Sequence, residues 1–369
     1  MVRLRSLLVH AILVGASVAA TLLFLEVSLR TIPALWPPGA YARSRFSPEL
    51  QLFVHDASTV YKGATWTRRI PNRDGFLDVE HARQKPDGVR RVGFFGDSYV
   101  EALQVRLEDT FYRKLPTEIS GTPVEAFGFG ISGWGTLHSL LAYRVLGERY
   151  DLDRVVYLFV KNDPGDQHYR VRRGSDPTAR LSDDEVGFRV QVPEGYGRPP
   201  RRWAAFLDQN LLLVRLVRVQ LRALAKRREI AADAAVVPES RIPRENDYPS
   251  TWPPELLEEA KLLTRRILVR FRDEVVRDGR GFSVLYVPRG NEELAGDLAP
   301  DDSWLPWLSR TCAELDIELL DPSAVLRGAR DSGTKVYGDH WTSAGHEIIA
   351  AFVAQHLAGE PARTAPAAP

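Results

Sequence analysis

Serine hydrolysis needs a nucleophile, a base to take its proton, and hydrogen-bond donors where the carbonyl oxygen becomes charged. The chain offers a candidate for each. In Arg90-Arg91-Val92-Gly93-Phe94-Phe95-Gly96-Asp97-Ser98-Tyr99 a run of β-branched and aromatic residues ends in Gly-Asp-Ser, and a helix-like segment follows. That layout lifts the Ser98 hydroxyl above the end of a sheet, near a helix N-terminus whose unpaired N–H groups can face an oxyanion. A second stretch, Gly128-Phe129-Gly130-Ile131-Ser132-Gly133-Trp134-Gly135-Thr136, has the glycine density that lets backbone N–H groups approach a ligand closely. It lacks the Lys-Ser/Thr ending of a phosphate loop, and it does not open the sheet as a dinucleotide fingerprint does. Lys161-Asn162-Asp163 adds an amide as a further donor. Tyr337-Gly338-Asp339-His340-Trp341-Thr342-Ser343-Ala344-Gly345-His346 puts a histidine in a loop just before a helical pattern, available to reach back to Ser98. Taken alone, Gly96-Asp97-Ser98 is more often an ordinary turn with a helix cap. The company it keeps favours the nucleophile.

These stretches need a frame that brings them to one edge. Strand-like runs occur at Val92–Phe95, Val124–Phe127, Val155–Val160, Phe282–Val287 and Ile317–Leu320. Amphipathic helical segments at Thr110–Ile119, Thr136–Gly147 and Pro254–Asp278 lie between most of them. Nearly unbroken apolar strands separated by helices argue for an α/β fold with a parallel sheet covered on both faces. Ligands of such sheets sit beyond the carboxyl ends of the strands, where Ser98, the glycine-rich turn and Asn162 all fall.

The four ordered blocks resemble the SGNH (GDSL-like) hydrolase family over roughly Arg91 to Leu357. The Asn72–Gly75–Phe76 turn and the Val105–Glu108–Asp109–Thr110 segment are similar to membrane-anchored bacterial members. The resemblance implies a three-layer, flavodoxin-like parallel sheet of about five strands with a helical insertion. It also implies that Ser98 is the nucleophile and an oxyanion donor through its own N–H, that Gly133 and Asn162 complete the oxyanion hole, and that His340 is the base. His346 then falls in the last helix with a structural role. The family sets its acid two or three residues before the histidine, positions held here by Gly338 and Tyr337. Asp339 is directly adjacent, and is the expected acid if its side chain folds back to the imidazole. The alternatives are a Ser–His dyad steered by a backbone carbonyl, or a remote acid such as Asp321. Trp134 and Trp341 neighbour the proposed site, and their faces would suit a sugar ring. Asp97 and Asp163 read as turn anchors.

Composition sets the outer bounds. At 369 residues the chain is long enough for one large domain or two ordinary ones, with globular apolar and charged fractions. A net charge of +1 removes the charge argument for nucleic-acid binding. The single cysteine, Cys312, excludes an intramolecular disulfide and a cysteine-based zinc site. His55, His81, His138 and His168 lack metal-ligand spacing and read as surface or packing residues; no metal or other cofactor is expected.

After Arg3 and Arg5, an apolar run of about nineteen residues extends from Leu7 to Leu25, close to the roughly 20 that span a bilayer core. The basic residues precede it, so residues 1–32 are expected to be a cytoplasmic stub and signal anchor, with the rest periplasmic or extracellular. A cleaved signal peptide is the rival: Ala16-Ser17-Val18-Ala19 has the small residues, although the apolar run continues through Thr21-Leu22-Leu23-Phe24-Leu25. Residues 33–86 read as an irregular lead-in, 87–358 as the hydrolase domain with an insertion over 164–253, and 359–369 as a disordered tail. Within the insertion Trp203–Ala231 reads as one long helix. Phe206, Leu207, Leu211, Val214, Leu216, Val217 and Leu221 line one side, and arginines the other.

The expected function is a membrane-anchored extracytoplasmic serine ester hydrolase that removes or transfers O-acyl groups, chiefly acetyl, on an envelope or secreted glycan. The alternatives are a lipid esterase or thioesterase with the same site, and a catalytically silent glycan-binding or scaffold module. The sequence names no protein partner.

Overall fold

In a computed structural model, residues 2–172, 176–184, 186–198, 203, 206–207, 210–234 and 242–358 are described. The chain divides into two compact units.

One unit comprises Met1–Tyr41, Tyr61–Trp66 and Pro199–Val236. Its first helix, α1 (Val2–Thr31), contains a 23-residue stretch, Val9–Thr31, of mean hydropathy 2.1, long and apolar enough to cross a membrane. The last turn of α1 is tied down by polar contacts. Trp36 Nε1 donates to the Leu29 carbonyl at 2.8 Å, and the Glu26 carboxylate accepts the backbone N–H groups of Leu212 and Leu213 at 2.8 and 2.9 Å. Glu26 thereby caps a second helix, Leu212–Ala234, from outside it. The helix expected over Trp203–Ala231 is interrupted at Leu211, which is not helical; Trp203, Phe206, Leu207 and Asn210 before it are helical, as is Leu212–Ala234 after it. Leu212 and Leu216 are buried, whereas Val217 and Leu221, expected on the packed side, are exposed.

The other unit comprises Ala42–Val60, Thr67–Arg198 and Val237–Pro369. Its sheet is built from β1 (Arg90–Gly96), β2 (Thr122–Gly130), β3 (Arg154–Phe159), β4 (Gly281–Tyr286) and β5 (Glu318–Leu320). These five strands are parallel neighbours in the order β2-β1-β3-β4-β5, with the short strand Glu118–Ile119 antiparallel at the β2 edge. That is the flavodoxin-like doubly wound order, whose switch point lies between the first and third strands.

Alternation along the strands feeds two cores. Phe95, Tyr157, Phe159 and Val284 face one side and pack with Leu137, Leu140, Leu263, Ile267 and Phe271 from helices Thr136–Arg149 and Pro254–Arg277. Phe94, Val156, Leu158 and Leu285 face the other, against Phe111, Leu326, Ile349 and Val353. Both faces are covered, so the strands read as continuous apolar runs rather than as alternating ones. Each such side chain contributes about 1.5–3 kcal/mol by leaving water.

Residues 33–86 are not merely a lead-in. Leu50, Leu52, Val54 and Phe76 join the first core and are buried there. Residues 359–369, the expected tail, lie outside the described residues.

Candidate active site

The register sets where the site lies. Gly96 pairs with Gly130 across β1 and β2, and Phe95 with Tyr157 across β1 and β3, so all three strands end at one edge. Ser98, Gly133 and Asn162 leave the sheet there. Ser98 begins the short helix Ser98–Glu101, and Asp97 caps it by accepting the Tyr99 N–H at 3.0 Å. A Cβ on Gly130 would lie 2.4 Å from Val100 Cβ and 2.7 Å from the Glu101 nitrogen, so this glycine lets the helix press onto the end of β2.

His340 arrives from the far end of the chain. Gly338 N–H donates to the His340 carbonyl at 2.8 Å and Tyr337 bridges to Trp341, which makes a tight turn with His340 near its tip. Its Nε2 lies 2.7 Å from Ser98 Oγ. The hydroxyl also lies 3.4 Å from Asp97 Oδ2. One proton cannot serve both, and the shorter contact to the imidazole is the stronger.

The proposed acid does not reach its position. Asp339 Oδ2 stands 3.7 Å from His340 Nδ1, beyond hydrogen-bond range, while Oδ1 accepts the His340 backbone N–H at 3.1 Å. Its side chain is 62% exposed. The remote alternative, Asp321, is used elsewhere: its Oδ1 accepts the Ser323 N–H at 3.0 Å and the Ser323 hydroxyl at 2.5 Å, at the start of helix Ser323–Asp331. Tyr337, at a position where the resemblance puts the acid, donates its hydroxyl to the Pro288 carbonyl at 3.0 Å. What meets Nδ1 is Gln104, whose amide nitrogen lies 3.0 Å away.

Asn162 is buried beside Asp97, and both its amide hydrogens meet carboxylates. Nδ2 donates to Asp97 Oδ2 at 3.1 Å and to Asp166 Oδ2 at 2.6 Å. Asp166 also pairs with Arg172, and burial, partly offset by Arg172 and Asn162, raises its carboxyl to about 7. Burial also pushes Asp97 up, against the Tyr99 N–H, His340 and Asn162, which favour its charged form. Asp163 accepts the Val160 N–H at 2.9 Å and the Tyr157 hydroxyl, so it anchors the loop below Asn162 as expected.

Gly133 has φ +81°, a left-handed backbone that suits glycine, and a Cβ there would lie 3.2 Å from the Arg172 guanidinium. Its neighbour Ser132 is held by Glu101, which accepts both the backbone N–H, at 2.9 Å, and the hydroxyl. The other Glu101 oxygen is 2.6 Å from His55 Nε2. Burial pushes the Glu101 carboxyl up, but the bonds from His55 and Ser132 outweigh it and hold the group below its ordinary value. The buried Arg69 fixes the segment between helix and Gln104, donating to the carbonyls of Glu101 (2.8 Å), Ala102 (2.5 Å) and Val105 (2.6 Å). Thr67 Oγ1 adds a bond to the Leu103 carbonyl at 2.5 Å.

The two tryptophans are not sugar platforms. Trp341 is 0% exposed and its Nε1 donates to the Tyr337 hydroxyl at 2.8 Å. The turn explains this: successive residues face opposite ways, so projecting His340 toward Ser98 sends Trp341 inward. Trp134 is 4% exposed and meets Phe76 edge-on, with ring centroids 5.8 Å apart. His346 is structural as expected. It is buried, its Nδ1 accepts the Phe111 N–H at 3.2 Å, and burial lowers it to about 3. Gln104, Glu101 and Arg69 escaped the sequence reading, and His55 was read only as surface or packing, since their partners lie far along the chain. Among the described residues, no cluster of three or more His, Cys, Asp and Glu side chains could hold a metal ion.

No family model matches the chain, and no curated protein matches it either. Solved structures do. The chain resembles G-D-S-L hydrolases. A member of the lipolytic protein G-D-S-L family from Veillonella parvula is 11% identical, over 72% of this chain and 97% of that one, at a TM-score of 0.37. A lipase/acylhydrolase from Enterococcus faecalis is 14% identical, over 74% and 100%, at 0.35. An acetyl xylan esterase is 12% identical, over 72% and 99%, at 0.36. At these identities and scores the likenesses carry no chemistry over to this chain.

Proposed function

We propose that the chain is an SGNH-type serine esterase, anchored to a membrane by α1, that cleaves or transfers a short acyl ester on a polar, glycan-like acceptor outside the cytoplasm. The observation that carries this reading is the 2.7 Å contact between His340 Nε2 and Ser98 Oγ, made by residues 242 positions apart. A base within hydrogen-bond reach of a hydroxyl at a helix N-terminus is the arrangement that activates a serine. Ser98 Oγ attacks the ester carbonyl as its proton passes to His340 Nε2. The oxyanion forms beside the Ser98 and Gly133 N–H groups and the Asn162 amide. Collapse expels the alkoxide, which takes the Nε2 proton. Water or a sugar hydroxyl then removes the acyl group by the same route in reverse.

The polar surroundings support a polar acceptor rather than a lipid chain. Gln104, Lys161 and Arg172 lie on or beside the proposed machinery, and burial together with the nearby Arg289 lowers the Lys161 ammonium from its ordinary value. Anchoring outside the cytoplasm is supported by the apolar length of Val9–Thr31 together with the basic Arg3 and Arg5 ahead of it.

The test is labelling of the full-length chain by a fluorophosphonate, with hydrolysis of nitrophenyl acetate alongside. Wild type is expected to be labelled at Ser98 and to turn over, Ser98→Ala to do neither, and acetylated xylan oligomers to be preferred over long-chain esters. A folded wild type that is neither labelled nor active refutes the esterase reading. Preference for long acyl chains refutes the polar acceptor.

A further inference from the structure

We propose that Gln104, not Asp339, is the positioning residue for His340, its side-chain amide fixing the imidazole in the tautomer that can accept the Ser98 proton. This rests on the esterase reading above and goes beyond it by naming the third member of the site.

Distance separates the two candidates. The Gln104 amide is 3.0 Å from Nδ1, and the nearer Asp339 oxygen is 3.7 Å away. Only the first is a hydrogen bond. The Asp339 carboxylate is also mostly in solvent, where its attraction for the ring is screened, and its other oxygen is engaged by the backbone N–H next door.

The tautomer gives the contact its meaning. For Nε2 to take a proton from Ser98 it must be bare, so the ring proton sits on Nδ1 and needs an acceptor. With its nitrogen toward Nδ1, the Gln104 amide suits the opposite form, in which the ring donates to Ser98 Oγ and cannot act as a base. A half-turn of the amide exchanges nitrogen for oxygen at the same place, and Oε1 then accepts Nδ1–H. During attack the Ser98 proton moves to Nε2, the ring carries protons on both nitrogens, and Nδ1–H keeps its bond to Oε1. When the tetrahedral adduct collapses, the Nε2 proton leaves with the alkoxide.

The loop bearing Gln104 is built to hold such a bond. It follows the left-handed Ala102 (φ 49°) at the end of the Ser98 helix, and the backbone from Glu101 to Val105 carries three hydrogen bonds from Arg69 and one from Thr67. The nucleophile and the orienting amide therefore share one short rigid segment, and of these three residues His340 alone comes from elsewhere in the chain. On the other flank Tyr99 packs against the imidazole at a ring-centroid distance of 4.6 Å, which restricts ring rotation.

The experiment uses the full-length chain in detergent, with nitrophenyl acetate and a fluorophosphonate. Gln104→Leu is expected to lower kcat by on the order of 10²- to 10⁴-fold with KM nearly unchanged. Gln104→Glu is expected to keep most of the activity. By placing a carboxylate on Nδ1–H it should also move the acidic limb of the kcat/KM profile up by about one unit or more. Asp339→Ala is expected to stay within about threefold of wild type. A large loss in Asp339→Ala with little in Gln104→Leu overturns the proposal, and so does an unmoved pH limb in an active Gln104→Glu. Wild type that is folded but unlabelled at Ser98 sinks the esterase reading instead. In that event histidine-selective ¹⁵N spectra still judge the contact: a His340 Nδ1–H signal present in wild type and altered in Gln104→Leu supports it, and an unchanged signal refutes it.

Discussion

Gly133→Ala tests whether the glycine-rich turn is an oxyanion element or only a bend. The methyl group meets two penalties. At φ +81° an L-residue is strained by about 1–2 kcal/mol. The new Cβ would also stand 3.2 and 3.3 Å from the two terminal nitrogens of Arg172. A long side chain normally gives way at little cost, but Arg172 is paired with both Asp166 and Asp176, so yielding loosens those pairs. Gly121 supplies the control: it has φ +78° and nothing within 4 Å of a built Cβ, so Gly121→Ala carries the backbone strain alone. Urea unfolding of the two variants is therefore expected to show about 1–2 kcal/mol lost at Gly121 and more at Gly133. Gly133→Ala with Arg172→Ala should recover the difference beyond what the two single changes predict. Activity separates the roles further. Displacing one oxyanion donor costs on the order of 10²- to 10³-fold in kcat, so Gly133→Ala should lose that much while Gly121→Ala stays near wild type. If Gly133→Ala is no less stable than Gly121→Ala and retains full kcat, the turn is not part of the oxyanion hole.

Two further outcomes follow from buried groups. His138 and His346 each accept a backbone N–H on Nδ1, from Gly135 and Phe111, and burial lowers them to about 4 and about 3. Because the folded values lie below the unfolded one of about 6.5, the unfolded chain binds more protons in acid. Stability is then full above that value and falls as pH drops toward the folded values, by up to about 1.4 kcal/mol per unit for each ring. Urea midpoints between pH 7 and 4 check this, and histidine titrations near 6.5 for both rings would refute it. Glu101→Leu leaves the buried His55 ring without its acceptor, at about 1–3 kcal/mol, and releases the exposed Ser132 N–H and hydroxyl to water. A loss of stability accompanied by a fall in kcat, both smaller in Glu101→Gln, is expected from unfolding curves and nitrophenyl acetate kinetics. Wild-type kcat in a folded Glu101→Leu would show that the clamp does not serve the site.

What the sequence reveals here is whatever its local pattern determines. Strand, tight turn and helix start are encoded within ten residues around Ser98, and unbroken apolar runs encode a parallel sheet covered on both faces, so the sheet and the edge that bears the site were within reach, while the flavodoxin-like arrangement came from the family resemblance. The partner of His340 Nδ1 was not, because no local pattern marks Gln104, 236 positions away. Adjacency misled in two ways. Asp339 is next to His340 along the chain, yet its carboxylate turns to the backbone and to solvent. Trp341 is next to it on the other side, yet the turn that brings the imidazole to the surface buries the indole.

Asn162 shows why a motif residue leaves its chemistry open even where its neighbours are known. Its amide has two hydrogens, and both are engaged, at 2.6 Å with Asp166 and 3.1 Å with Asp97. The shorter bond goes to a carboxylate that Arg172 also holds, so it fixes the amide plane. The longer one goes to the Asp97 oxygen that lies 3.4 Å from Ser98 Oγ, so this hydrogen is on the Ser98 side of the amide. An oxyanion is a stronger acceptor for it than a carboxyl whose charged form burial already disfavours. In the proposed reaction the amide therefore need not rotate; it has only to exchange one acceptor for a better one.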